Sequence, residues 1–160
     1  MDAELRPAAG APASRRQRQR LRLAVEGDRL VAAGVAGAPV TLPVAEAARV
    51  VTVTHPVETS SYQRDGLDVL VLDAAGHRLA TLANVHAVFS AAEVREFCRR
   101  AGLRYAAERQ PSERAARHRY PAAAGHRAVR TMAGGRTLAL LVGGLLLAVI
   151  AISLIVSLLR

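Results

Sequence analysis

The sequence predicts a mainly β domain closed by one amphipathic helix, followed by a single membrane-spanning helix. Three observations carry that expectation. Between residues 20 and 82 the apolar side chains come in short runs with the two-residue period or the β-branched richness of strands. Residues 90–102 hold an apolar stripe of helical period with start and stop signals at its two ends. Residues 137–159 carry no charge.

Residues 1–19 read as a disordered basic tail without the apolar core of a secretory signal. The predicted head spans 20–105. "RLRLAVEG" alternates Leu21, Leu23 and Val25 with Arg20, Arg22 and Glu26, a half-buried strand, and Gly27-Asp28 turns it into "RLVAAGV". "APVTLP" is a short strand bounded by Pro39 and Pro43, and the β-branched "ARVVTVTH" is a fourth that ends at Pro56. "VETSSYQRDG" reads as a polar loop. "LDVLVLD" places Leu67, Val69 and Val71 on one face with Leu70 and Leu72 on the other, which predicts a central strand packed on both sides. "DAAGH" is a turn, with Asp73 able to accept from its own amides and Gly76 free to take positive φ, and "RLATL" returns as the hairpin partner.

The helix opens with a capping box, Ser90 and Glu93. Val94, Phe97, Cys98 and Ala101 then form one apolar face, and Gly102-Leu103 supplies the C-terminal stop. About six strands and then one amphipathic helix is the order of a pleckstrin-homology-like (PH-like) barrel or sandwich. The stretch "LDVLVLDAAGHRLATL…FSAAEVREFCRRAGL" resembles small actinobacterial membrane proteins with PH-like heads, in which a hairpin with an Asp-x-x-Gly turn precedes a capped helix ending in Gly-Leu. The resemblance covers about residues 20–104, with Phe89 where those proteins often carry Trp. It implies a fold and a membrane setting and no catalytic chemistry. PH domains that grip phosphoinositides place Lys and Arg in the first hairpin. Here "VEGDR" sets Glu26 and Asp28 beside Arg29, so the charge opposes a phosphate ligand there.

Residues 106–136 are rich in Arg, Ala, Pro and Gly without apolar period and read as a flexible juxtamembrane linker. A coil of that length averages about 30 Å end to end. Arg114, Arg117, Arg119, Arg127, Arg130 and Arg136 are its candidate membrane-surface residues. Each contributes about 1 kcal/mol beside anionic lipid headgroups. Ser112, after Arg109-Gln110-Pro111, loosely matches a basophilic-kinase site, where a phosphate would weaken that attraction. A helix over residues 137–159 would be roughly 34 Å long, against a hydrocarbon core of about 30 Å. Arg127, Arg130 and Arg136 precede it and Arg160 follows, so the positive-inside rule predicts a single-pass, tail-anchored plasma (inner) membrane protein with its N-terminus in the cytoplasm. Gly144 and Ala148, four apart, are the candidate positions for weak pairing of two spans into a homodimer.

The formal charge is +9, carried by 22 Arg and no Lys. In residues 21–105 nine Arg balance nine carboxylates, so the excess lies in the flanks. A neutral head and few aromatics argue against a nucleic-acid partner. Cys98 is the lone cysteine, predicted to be buried as a small hydrophobe. His55, His86, His118 and His126 lack metal-ligand spacing, and Asp73 and His77 fit a turn better than an acid–base pair. No cofactor is implied, since phosphate-loop and nucleophile-elbow motifs are absent. The sequence therefore predicts a membrane-tethered, non-enzymatic interaction or scaffolding module that faces the cytoplasm and meets an unidentified protein partner. The alternative is an anti-sigma-like regulator that sequesters a cytoplasmic factor, and an enzyme with an unrecognised site comes third.

Overall fold

Leu21, Leu23 and Val25 point into the core, as their alternation requires, and the strand that carries them builds the first sheet. The computed structural model describes residues 2–7, 19–34, 38–58, 63–84 and 88–130. Strand β2 (Arg22–Glu26) pairs antiparallel with β3 (Arg29–Ala33) across a two-residue turn in which Gly27 takes φ 62°. Strand β1 (Ala3–Leu5) adds to β2, and β4 (Val40–Pro43) adds to β3, giving the order β1-β2-β3-β4. A 3₁₀ turn at Val44–Glu46 leads out of it.

The second sheet has the order β8-β5-β6-β7-β9. Its long hairpin joins β5 (Arg49–Glu58) to β6 (Gln63–Leu72) in register from Arg49–Leu72 to Glu58–Gln63. Residues 57–58 and 63–66 of the stretch expected to be a polar loop thus extend the two strands instead. Strand β7 (Arg78–Asn84) returns through the Asp73 turn, where the His77 amide donates to Asp73 Oδ1 at 2.8 Å and Gly76 takes φ 86°. Both edge strands are parallel to their neighbours: β8 (Tyr105–Arg109) to β5, and β9 (Ala122–Arg130) to β7.

Helix α1 (Ala91–Arg100) forms as its signals predict. The Ser90 hydroxyl accepts from the Glu93 amide at 3.2 Å, and the Ser90 amide donates to Glu93 Oε2 at 2.7 Å. At the other end Leu103 N donates to the Cys98 carbonyl and Gly102 N to the Arg99 carbonyl, with Gly102 at φ 67°. Val94, Phe97 and Cys98 are buried by α1 in the space between the sheets, with Phe89, Leu30, Val50 and Val69. The opposite face of the second sheet carries a smaller core of Val51, Val53, Leu70 and Leu72, covered by Ala116 and Tyr120 of helix α2 (Glu113–Arg119) and the residue after it. β6 is therefore packed on both sides, as its doubly apolar sequence requires.

Two further expectations are corrected. Residues 3–5 of the supposed disordered tail are an edge strand, held also by the Gly27 amide donating to Asp2 Oδ1 at 3.0 Å. Residues 105–130, mostly placed in the flexible linker, are the strand–helix–strand unit β8-α2-β9. Ala-rich segments have weak strand propensity, and here neighbouring strands supply the backbone hydrogen bonds that propensity does not. Arg136 and the 137–159 segment, with Gly144 and Ala148, lie outside the described residues. Among the described residues no helix is long and apolar enough to cross a membrane.

Candidate functional site

The outer face of the second sheet, beside α2, gathers His55, Asp68 and Thr81, three of the four buried polar side chains among the described residues. Along β5 and β6 the rows that begin apolar, Val51-Val53 and Leu72-Leu70, continue by the two-residue period as His55 and Asp68. Both are buried. His55 Nε2 lies 3.4 Å from Asp68 Oδ2, and its Nδ1 lies 3.3 Å from the Pro56 carbonyl. Gly66, opposite His55 in the register, leaves the space the imidazole uses: a Cβ there would stand 3.3 Å from His55 Cε1.

Thr81 carries the face onto β7, where its hydroxyl and His126 Nε2 on β9 lie 3.0 Å apart. Burial draws the His126 imidazole below its ordinary pKa, and the Arg78 charge acts in the same direction. Arg78 is half-buried, with its Nε unpartnered among the described residues. Burial and the nearby Arg117 lower its pKa, while Asp68 and Glu113 oppose them. Two imidazoles, a carboxylate, a hydroxyl and a guanidinium thus share one face. Among the described residues no three His, Cys, Asp or Glu converge as metal ligands. Thr81 is buried, so its contact with His126 braces β9 against β7.

The five candidate membrane-surface arginines among the described residues fall on two elements. Arg114, Arg117 and Arg119 are exposed on α2, and Arg127 is exposed on β9, which Arg130 ends. Arg117 pairs with Glu113 at 2.5 Å, and the Arg119 guanidinium sits 5.9 Å from the centre of the Tyr120 ring. Arg49 lies 6.0 Å from the same ring. Burial raises the Tyr120 phenol, and the Glu108 carboxylate adds to the rise while Arg49 opposes it. The Ser112 hydroxyl caps α2 by accepting from the Ala115 amide at 3.1 Å.

The register also sets direction. β9 runs from Ala122, level with Arg78, to Arg130, level with Ala83. Arg127 and Arg130 therefore lie toward the end of the sheet from which the chain leaves. α2 must run back from the end of β8 to the start of β9, so Arg119 lies toward the opposite end. The five candidate arginines among the described residues do not converge on one spot.

The neutral head of the sequence reading is also revised. The folded region now includes residues 106–130, where six Arg face only Glu108 and Glu113. Neither the His55–Asp68 pair nor the Thr81–His126 contact was anticipated, because each joins residues on different strands. The α2 signal was present in the sequence as the Ser112 cap, the Glu113/Arg117 spacing and the Ala116/Tyr120 stripe. No protein family, curated protein or solved structure matches this chain.

Proposed function

We propose that this chain is a membrane-tethered, non-enzymatic interaction module whose β domain sits on the cytoplasmic side of the membrane. The observation that carries the reading is a spacing. β9 ends at Arg130 and the charge-free segment begins at Thr137, so residues 131–136 alone join them. Fully extended, six residues reach about 21 Å, shorter than the coil expected from the sequence. A span over 137–159 would hold the domain close to the bilayer by its Arg130 end, with Arg127, Arg130 and Arg136 toward the headgroups.

The PH-like head is the finer form of this reading. The two-sheet architecture and the doubly capped α1 support it. The unit β8-α2-β9, which follows α1, has no counterpart in a six-strand, one-helix order. The surface offered to a protein partner is the β9 edge, where Ala122, Ala124, Arg127 and Ala128 are exposed and a partner strand can add by main-chain hydrogen bonds.

Fractionation tests the tether. The full chain should sediment with membranes and resist alkaline carbonate, and a chain cut after Arg130 should not. A phosphatase fused after Arg160 should be active outside the cytoplasm. Release of the full chain by carbonate would overturn the reading.

A further inference from the structure

At the end of the second sheet opposite Arg130, β5 and β8 begin side by side and β6 turns into β7. The segments line an open cavity of about 360 Å³, bordered by Ala48, the Asp73–Gly76 turn, Arg49 and Arg104. That volume lies at the small end of ligand-binding pockets. Four of the residues that border it, Ala48, Ala74, Ala75 and Gly76, are small.

The two arginines occupy neighbouring strand starts, each one step before the Val50–Tyr105 register pair. Like charges so placed repel. Among the described residues neither guanidinium has a carboxylate within ion-pair distance. Arg49 rests against the Tyr120 ring, which positions its charge without neutralising it. The rim carboxylate is committed to its own turn: Asp73 Oδ1 accepts the His77 amide at 2.8 Å and Oδ2 lies 3.3 Å from His77 Nδ1.

We propose that this cavity binds a small soluble oxyanion, a phosphate- or carboxylate-bearing metabolite, between the guanidiniums of Arg49 and Arg104. Guanidinium groups match the planar, two-oxygen geometry of these anions and hold them by charge-assisted hydrogen bonds. The small bordering residues and the volume suit a compact ligand. The choice of a soluble anion over a lipid headgroup rests on the tether reading, which turns this end of the sheet away from the bilayer; the site itself does not depend on it.

The test is a titration of the ¹⁵N-labelled full chain in zwitterionic nanodiscs with inorganic phosphate and with citrate, with chloride as the ionic-strength control. The amides of Ala74, Ala75 and Gly76 should shift saturably with phosphate or citrate and not with chloride. The anion that saturates at lower concentration identifies the class. Arg104 is exposed, so Arg104→Gln leaves the fold intact and should weaken binding about tenfold or more. Ala74→Glu should abolish it, and Arg95→Gln on the exposed face of α1 should leave it unchanged. Shifts that track chloride, or that survive both Arg104→Gln and Ala74→Glu, overturn the site. In nanodiscs of anionic lipid, the same shifts without added phosphate or citrate would put a headgroup in the cavity and overturn the soluble ligand. Failure of the chain to enter nanodiscs would sink the tether reading alone, because the titration can then be run in solution.

Discussion

Thr52 and Tyr105 share a hydroxyl–hydroxyl hydrogen bond of 2.7 Å across β5 and β8, and the same phenol donates to the Ala91 carbonyl at 3.1 Å. One oxygen thereby joins the parallel edge strand, the central hairpin and the first turn of α1. Tyr105→Phe removes both bonds and leaves the Thr52 hydroxyl buried, at a cost of about 1–3 kcal/mol. Thr52→Val should cost about 1 kcal/mol, and the double variant little more than Tyr105→Phe alone. Denaturant unfolding of the four proteins measures the cycle; strict additivity would show that the shared bond contributes nothing.

Gly66 is required for space rather than for backbone conformation. A Cβ there would stand 2.5 Å from Val57 Cγ2 and 3.3 Å from His55 Cε1. Valine is stiff at χ1, so Gly66→Ala should lose about 1–3 kcal/mol to overpacking, offset by about 0.4–1 kcal/mol from a less flexible unfolded chain. Adding Val57→Ala should recover most of the loss in thermal unfolding.

Cys98 should be chemically silent in the folded protein. It is fully buried, and burial pushes its thiol up to about 12 from an ordinary 9.0. A maleimide should label it at pH 8 only as fast as the domain opens. Because the folded state holds the proton more tightly, stability from this group is complete below about pH 9 and is lost as pH rises toward about 12. Rapid labelling without denaturant would contradict the buried α1 face.

His126 carries the opposite pH signature. Its pKa is lowered from 6.5 by burial and by Arg78, so the unfolded chain binds its proton more readily. The stabilisation is present above about pH 6.5 and is lost as pH falls through the lower folded value. The protection factors of the β9 amides, their exchange rates referred to the intrinsic rate at each pH, should fall on acidification through that range. His126→Gln should flatten the dependence at this strand, leaving β2 and β3 unaffected.

The direction of β9 makes the tether reading measurable. With Cys98 inert, single cysteines at Arg127 and Ala75 can carry a fluorophore. Nitroxide lipids at headgroup depth should quench the Arg127→Cys label strongly and the Ala75→Cys label weakly. On anionic vesicles, Arg127→Gln with Arg130→Gln should reduce binding of a chain cut after Arg130 more than Arg117→Gln with Arg119→Gln, because the latter pair is engaged with Glu113 and Tyr120. Equal effects would mean that position on the sheet does not matter.

Local chemistry made much of this protein legible. The Ser90–Glu93 box, the Gly102 stop, the Asp73 turn and the two apolar faces of β6 each depend on residues close together in sequence, and each formed as its spacing required. Burial of Cys98 followed from the α1 stripe in the same way. Residues 105–130 were misread because Ala, Arg and Pro carry little strand signal. Parallel pairing with β5 and β7 is a bond to distant chain, and it alone makes β8 and β9 strands. The same holds for the polar face. His55 meets Asp68, and Thr81 meets His126, only because strand register sets them diagonally adjacent on one face. The sequence by itself determined the caps, the turns, the apolar faces and the charge-free segment, all set within a few residues. Tertiary structure alone decided which arginines stand on a folded face and which end of the sheet the chain leaves, because strand order and direction are fixed by hydrogen bonds between segments far apart.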